Sequence, residues 1–348
     1  MSCLKRPKLI LYCYEAKLYE NENCRCKYIL LIQHYIKKYM SALNNLPTFE
    51  YNKITLSYPT INSFLISEKK TNDQNNKIRE NIIGAIINDK IPQEYYCSSK
   101  KWKHMKNNIL DYINSLAKEN IVDNVTIDKI ICNHKGGRTS NFDFIITIND
   151  KYSFNIELKF NASTISEAPQ FVSPMKPSQY LSSSYEEYYY DNYISILAEC
   201  GKLIIPPKEE YLSQIHSPNP KCMNTYQEKY YFGSKGSSKY TDKDEDINFY
   251  LKAKKLSAES IVNFIKNTEL NIEELSNYLK ETQENKHYMM YKNNRFYKQN
   301  VNMDDYELVS YEKQKNRFVA TSKTGNKIKI LLRWKNGNGI AFPAFQIS

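Results

Sequence analysis

The sequence predicts a mixed α/β fold of the α+β arrangement, in which helices and strands occur in separate runs. Residues 141–161 alternate between apolar and polar side chains, as two paired strands do. Residues from Asn76 onward place apolar side chains at helical spacing. Residues 317–347 contain three short apolar runs separated by turns rich in Gly and Asn. With 348 residues, the chain is long enough for two or three domains.

The expected order of domains follows from changes in composition along the chain. We expect an N-terminal extension over residues 1–70, a core domain over 71–216, a mobile loop over 217–246 and a C-terminal region over 247–348. The loop is expected because that segment is rich in Ser, Pro, Gly, Lys and Asp. The C-terminal region should contain a helical pair, with Ser257 and Asn271 as N-caps, followed by the β-rich tail.

Several other elements are predicted around the hairpin. Ile78, Ile82 and Ile86 form the apolar stripe of one helix, and a second helix should run from about Lys100 to Lys118. The remaining predicted elements are a helix over residues 27–43, a strand near residues 53–58 and a strand over residues 125–132.

The two strands of the hairpin have a register that can be derived. If their apolar faces coincide, Phe144 pairs with Ile156, and a three-residue loop, Asn149 to Lys151, joins the strands. This register sets Asp143 opposite Glu157, with Cβ atoms roughly 5 Å apart. Lys159 shares the face of Glu157, because side chains two residues apart project to the same side of a strand.

Two carboxylates held this close repel each other unless a positive charge lies between them. Mg²⁺ suits such a pair because it prefers oxygen ligands. The metal would polarise a phosphate oxygen and acidify a bound water, and Lys159 would orient that water or neutralise developing charge. The alternative is a surface hairpin with ordinary charges, and Glu-x-Lys triplets also start at Glu15, Glu68 and Glu284.

An Asp followed by Glu-x-Lys on a β-hairpin resembles the PD-(D/E)xK nuclease superfamily, which includes restriction-type endonucleases. The resemblance covers about residues 76–205, with Phe142 at the nominal Pro position. It implies a restriction-endonuclease-like αβββαβ core. It also implies Mg²⁺, with Mn²⁺ expected to substitute, held by Asp143, Glu157 and the Leu158 carbonyl, while Lys159 serves the nucleophile.

The same resemblance points to further candidates. Many members add an acid from the helix before the sheet, which would be Glu80, or Glu119 as its rival. Glu80 alternatively faces solvent on an amphipathic helix. Gln170 and Gln179, in the Ser- and Pro-rich segment after the hairpin, are candidates for contacts near the metal. The core should then close with a helix over residues 180–200 and a short strand over 201–205.

The charge balance favours a polyanionic partner. The formal net charge is +11 and the pI is near 9. Candidate phosphate contacts are Lys135 and Arg138 in a turn before the hairpin, Lys176 in the segment after it, and Arg333 and Lys335 in the tail. A basic face of the tail sheet would suit DNA, although an ordinary solvated face explains the same residues.

Other chemistries find little support. The five histidines form no close cluster, and neither a Walker A loop nor a dinucleotide fingerprint occurs. Eight cysteines without metal-ligand spacing predict free thiols. No apolar run reaches membrane-spanning length, so we expect a soluble intracellular protein without a membrane partner.

The sequence therefore predicts a Mg²⁺-dependent endonuclease acting on DNA, and the restriction-type relatives suggest duplex substrates and site specificity. A structure-specific or RNA-directed nuclease would use the same residues. A non-catalytic nucleic-acid-binding protein on a nuclease fold is the alternative outside enzymes. Cleavage of both strands of a duplex needs two active sites, so a homodimer is expected for the restriction-type case.

Overall fold

A computed structural model gives the fold and describes residues 41, 43, 46–66, 72–121, 126–135, 140–167, 176–284 and 286–348. The fold is mixed α/β, as predicted. The chain divides into two compact units. Unit 1 comprises Met1–Glu167 and Asn285–Asn300, and unit 2 comprises Ala168–Glu284 and Val301–Ser348. Within the described ranges, no helix is both long and apolar enough to cross a bilayer.

Unit 1 is built on a five-stranded sheet preceded by a small hairpin. The hairpin strands are β1 (Phe49–Tyr51) and β2 (Ile54–Leu56). The sheet has the order β3-β4-β5-β6-β7. Its strands are β3 (Ile130–His134), β4 (Phe144–Ile148), β5 (Tyr152–Phe160), β6 (Lys286–Lys292) and β7 (Arg295–Gln299). Strand β6 runs parallel to β5, and the other neighbouring pairs are antiparallel.

Three α-helices in the described part of unit 1 cover the apolar face of this sheet. They are α1 (Asn72–Ile87), α2 (Gln93–Ser98) and α3 (Lys100–Asn120). Helix α3 begins where the Ser99 side chain accepts hydrogen bonds from the amides of Lys101 and Trp102. The isoleucine stripe of α1 and the apolar side of α3 share one buried cluster with the sheet. Phe144 and Ile156, the paired residues of β4 and β5, are fully buried in that cluster.

The predicted hairpin register is confirmed. Phe144 pairs with Ile156, Ile146 with Phe154 and Ile148 with Tyr152, which leaves a three-residue loop. Asn149 and Asp150 in that loop adopt positive φ angles of 51° and 55°, a conformation that Asn and Asp tolerate better than most residues. Because burying one face specifies the register, the alternation of the sequence was sufficient to predict it.

Unit 2 combines helices with a four-stranded sheet of order β11-β10-β9-β8. Its helices are α4 (Tyr185–Tyr189), which continues through a π-helical turn (Tyr190–Ile194) into α5 (Ser195–Gly201), then α6 (Lys208–Gln214), α7 (Asn224–Gly233), α8 (Asp244–Asn267) and α9 (Ile272–Gln283). Its strands are β8 (Leu308–Gln314), β9 (Arg317–Ser322), β10 (Lys327–Asn336) and β11 (Ala341–Ile347). The last three were predicted, whereas β8 was not.

The strand that continues the core sheet lies elsewhere in the chain than predicted. Residues 201–205 form no strand, and Ile204 in this segment is 90% exposed. The parallel neighbour of β5 is instead β6, which begins more than eighty residues after the predicted strand. Strands β6 and β7 are joined by Asn293 and Asn294, whose φ angles of 52° and 61° suit a tight two-residue hairpin.

Two predictions for the C-terminal half were also wrong. Residues 217–246 are not a loop, because α7 and the beginning of α8 lie there. Ser257 is not an N-cap but a buried residue inside α8, which begins earlier at the acidic run Asp244 to Asp246. Asn271 does cap α9, and its side chain accepts a hydrogen bond from the Glu274 amide at 3.2 Å.

Some expectations meet the structure only partly. The first strand of the core sheet, predicted over residues 125–132, begins at Ile130 and extends to His134. Cys132, Cys200 and Cys222 are free, whereas Cys97 is disulfide-bonded, contrary to the expectation of free thiols. Most of the predicted helix over residues 27–43, together with Val125, Arg138 and Gln170, lies outside the described residues.

Candidate active site

Strands β4 and β5 separate at Asp143, and its carboxylate lies at the point of separation. The Asp143 amide still donates to the carbonyl of Ile156 at 2.9 Å. The next amide on β5, that of Leu158, donates instead to the Asp143 carboxylate, with N to Oδ2 at 2.8 Å. The side chain therefore replaces a strand partner, which fixes the Asp143 carboxylate beside the Glu157–Lys159 segment.

Glu157 and Lys159 lie on one face of β5 and form an ion pair. The Lys159 Nζ is 2.5 Å from Oε1 of Glu157. Both side chains are mostly buried, with 15% of Lys159 and 13% of Glu157 exposed. A partly buried pair of this kind is screened less by solvent and salt than a surface pair.

Glu80 of α1 joins the two acids of the hairpin. Burial, followed by the charges of Asp143 and Glu157, raises the pKa of Glu80 to about 8. Burial, followed by the charge of Glu157, raises the pKa of Asp143 to about 7. Carboxylates act on each other in this way only when they lie close together in a medium of low dielectric constant. Glu119, the rival candidate, is ion-paired with Lys298 instead.

Arg79, which sequence reasoning missed, anchors the part of α1 that carries Glu80. Its guanidinium is fully buried and donates to the Ser63 carbonyl at 2.9 and 2.7 Å. Its central carbon also lies 3.4 Å from the ring centroid of Phe160, the last residue of β5. Arg79 thus fixes α1 against the end of β5, and Glu80 follows it directly. In the sequence, Arg79 only follows Ile78 of the predicted apolar stripe, and that pattern does not indicate an anchoring role.

Lys286 is a second ammonium group at the site, and it was not predicted. It begins β6 and pairs with Asn155, whose side chain shares the face of Glu157 and Lys159. Burial lowers the pKa of Lys286, and Glu157 and Asp143 oppose this shift while Lys159 adds to it. The segment that contains Lys286 does not alternate in polarity, so the sequence alone gave no reason to place it on this sheet.

The predicted phosphate-contacting residues fall in different parts of the fold. Lys135 is exposed at the same end of the sheet as Asp143, because its amide donates to the Asp143 carbonyl at 2.8 Å. Lys176, Arg333 and Lys335 belong to unit 2. Gln179 also lies there, in a short 3-10 helix (Pro177–Tyr180).

The basic side chains of the tail do share one face of the four-stranded sheet. Strand β10 alternates between buried Ile328, Ile330 and Leu332 and outward residues on the opposite face. The basic residues on that outward face are Lys327, Lys329, Arg333 and Lys335 of β10 and Arg317 of β9. Arg333 Nη1 donates to Oε1 of Gln346 at 2.5 Å, which holds its guanidinium over β11.

Among the described residues, no group of three or more His, Cys, Asp or Glu side chains is placed so that it could hold a metal ion. The three acids nevertheless provide oxygen donors, and one Glu157 oxygen is engaged by the Lys159 ammonium. Oxygen donors of this kind suit Mg²⁺ better than softer metals. No family model, curated protein or solved structure matches the chain.

Proposed function

We propose that this chain is a Mg²⁺-dependent endonuclease that hydrolyses DNA phosphodiester bonds. The observation that carries the proposal is the position of the Asp143 carboxylate, which the Leu158 amide holds beside the Glu157–Lys159 ion pair where β4 and β5 separate. The charges of Asp143 and Glu157 also act on Glu80 of α1, after its burial, to raise its pKa. Grouping buried acids without a cation is unfavourable, and such groupings are typical of functional sites. The proposal accounts for that grouping through a divalent cation that neutralises it.

Asp143, Glu157 and Glu80 would hold the metal, and the Leu158 carbonyl between Glu157 and Lys159 is a further candidate ligand. When bound, Mg²⁺ supplies Lewis acidity that stabilises charge on the phosphate and acidifies water. For Glu157 to offer both oxygens, Lys159 must leave the 2.5 Å contact with Oε1. The released ammonium can then donate to the attacking water or to a phosphate oxygen, which is the role proposed for it.

The strand order is a second support for the proposed restriction-endonuclease-like core. Helices precede three antiparallel strands, β3, β4 and β5, and a later strand, β6, runs parallel to β5. In the proposed αβββαβ core, these elements would correspond to the αβββ part and the closing strand. The helical segment between β5 and β6 is the long insertion that forms most of unit 2.

DNA is proposed as the substrate because the charge balance favours a polyanion. The net charge of +11 provides the long-range attraction, and Lys135 lies exposed beside Asp143. The basic face of unit 2 offers additional phosphate contacts. A homodimer would supply the second active site that cleavage of both strands requires.

The proposal is tested by incubating the purified protein with duplex DNA, single-stranded DNA and RNA in Mg²⁺, in Mn²⁺ and in EDTA. We expect cleavage of duplex DNA that depends on the metal. Asp143→Ala, Glu157→Ala and Lys159→Ala should each abolish cleavage. The matched control is Asp150→Asn, which removes an exposed charge at the other end of the same hairpin and keeps a residue type that tolerates the positive φ there.

The cleavage products distinguish between the remaining candidate functions. Discrete ends on mixed-sequence DNA would support a site-specific enzyme, and cleavage of RNA alone would replace DNA as the substrate. Binding of DNA without cleavage under any of these metals, unchanged by Asp143→Ala, would contradict an enzyme and favour a binding protein.

A further inference from the structure

The Lys286 ammonium is buried at the candidate site and lacks a hydrogen-bond partner. The residue is 6% exposed, and its Nζ is one of the buried polar atoms that bond to nothing among the described residues. An ammonium group carries three donors, and burying it without an acceptor is strongly unfavourable. Such a group is retained where it meets a ligand.

The strand register directs this side chain toward Glu157. Lys286 pairs with Asn155, and Tyr288 pairs with Glu157, two residues further along both parallel strands. The Lys286 Nζ lies 5.7 Å from the centroid of the Tyr288 ring. The side chain therefore extends along β6 from the level of Asn155 toward the level of Glu157. The Tyr288 ring offers the ammonium a weak cation–π contact, and no hydrogen bond joins the two side chains.

The electrostatic influences on Lys286 agree with this position. Glu157 and Asp143 both favour its charged form, and Lys159 disfavours it. Lys286 is thus near each hairpin residue of the site, although it forms no ion pair with the acids. Lys159 forms an ion pair with Glu157, whereas the Lys286 ammonium has no hydrogen-bond acceptor among the described residues.

We propose that Lys286 binds a non-bridging oxygen of the substrate phosphate, so that the site presents two ammonium groups, Lys286 and Lys159, to one phosphodiester. This inference rests on the proposed function and names the part of the site that receives the anion. A phosphate oxygen satisfies the donors of Lys286, and the second ammonium stabilises the charge that increases in the transition state.

The first test detects phosphate binding without requiring activity. Protein with ¹³C-labelled lysine ε-carbons is titrated with inorganic phosphate in the presence of Mg²⁺ and followed by NMR. The Lys286 resonance is assigned by its loss in Lys286→Met, or in Lys286→Arg if the Met variant does not fold. We expect a saturable shift of that resonance, and at least a tenfold weaker phosphate affinity in Lys286→Met.

The control is Lys292→Met, which removes a half-exposed lysine from the other end of β6, where it pairs with Glu167. Its phosphate affinity should match the unmodified protein. A Lys286 resonance that phosphate leaves unmoved, or an affinity unchanged in Lys286→Met, would overturn the inference.

The second test uses cleavage. Lys286→Met should lower kcat by about 10²- to 10³-fold, the effect of removing one donor to a developing negative charge. Mg²⁺ affinity should be retained, and Lys286→Arg should recover part of the rate. A phosphate-dependent shift in a protein that cleaves no nucleic acid would keep the inference and contradict the proposed function. Cleavage undiminished in Lys286→Met would contradict the inference alone.

Discussion

At the residue scale, the most consequential feature is that two buried acids take up protons unusually readily. The pKa of Asp143 is raised from 3.8 to about 7, and that of Glu80 from 4.5 to about 8, chiefly by burial. Between about pH 4 and pH 8 these two carboxyl groups therefore bind more protons in the folded protein than in the unfolded chain. By linkage, the contribution of Asp143 and Glu80 to the free energy of unfolding without metal falls as the pH rises through this window.

Replacing one of these acids by its amide should stabilise the metal-free protein at high pH. Asp143→Asn keeps an oxygen that accepts from the Leu158 amide but removes the charge. We expect its free energy of unfolding to exceed that of the unmodified protein by about 1 kcal/mol or more at pH 8. Little difference is expected below about pH 3, where the carboxyl group is largely protonated in both states. Urea unfolding in EDTA at several pH values measures this.

Asp111→Asn is the control, since Asp111 is an exposed acid on α3 whose charge lies in water. The free energy of unfolding of Asp111→Asn should be close to that of the unmodified protein across the same pH range. If the free energy of unfolding of Asp143→Asn and that of the unmodified protein depended on pH in the same way, the folded protein would not disfavour the charged form of Asp143.

The same protons should be displaced by metal. A cation needs the ionised carboxylates, so Mg²⁺ affinity should rise between about pH 6 and pH 8.5 as Asp143 and Glu80 lose protons. Calorimetric titration in buffers of different ionisation enthalpy would measure the protons released per ion. Glu80→Gln should release fewer, and an affinity that is constant over this range would contradict metal binding by these acids.

At the scale of elements, sequence reasoning succeeded where the contacts are local. The β4–β5 register followed from alternation across a short loop. Asp143 lies just before β4, and its carboxylate accepts from the Leu158 amide beside Glu157. The partner of β5 on its other side could not be found in this way. Strand β6 is apolar without alternation from Tyr288 to Tyr291, because it lies inside the sheet. A long insertion separates it from β5, so Lys286 was missed with it.

The placement of α1 depends on one close approach that only the structure reveals. A Cβ atom at Gly84 would lie 2.2 Å from Nε2 of His134 and 2.8 Å from the Tyr51 hydroxyl. The His134 ring is packed between Tyr51 and Phe144, with ring centroids at 5.5 and 5.0 Å. Gly84 therefore sets the distance between α1, which carries Glu80, and the sheet.

Gly84→Ala should destabilise the protein, although Ala is the better helix former by about 1 kcal/mol. The added methyl group must displace the His134 ring or push α1 away from β3. Chemical denaturation should show a loss of roughly 1–3 kcal/mol, and the loss should be smaller in a His134→Ala background. Equal losses in both backgrounds would show that His134 is not the obstacle.

At the scale of the whole molecule, excess positive charge and its distribution bear on nucleic-acid binding. The net charge of +11 attracts a polyanion from any direction, whereas ordered phosphate contacts need charges fixed on one surface. The tail sheet provides such a surface, since Lys327, Lys329 and Lys335 are all exposed on β10. Alternation in the sequence predicted this face, but composition alone cannot separate general attraction from docking.

A charge-matched comparison can separate them. Changing Lys327, Lys329 and Lys335 to Gln removes three charges from the basic face of unit 2. Changing Lys221, Lys235 and Lys255 to Gln removes three exposed charges from other parts of the same unit.

If the sheet contacts DNA, the first variant should lose about 0.9 from the slope of log K against log salt for each lost contact, up to roughly 3 in total. The second variant should keep the original slope because its lysines touch no phosphate. Fluorescence anisotropy with a labelled duplex, measured in EDTA over a series of salt concentrations, gives both slopes. Identical slopes in the two variants would mean that the basic face contributes only general attraction, and the DNA contacts would then have to lie nearer to Lys135 and the acids of unit 1.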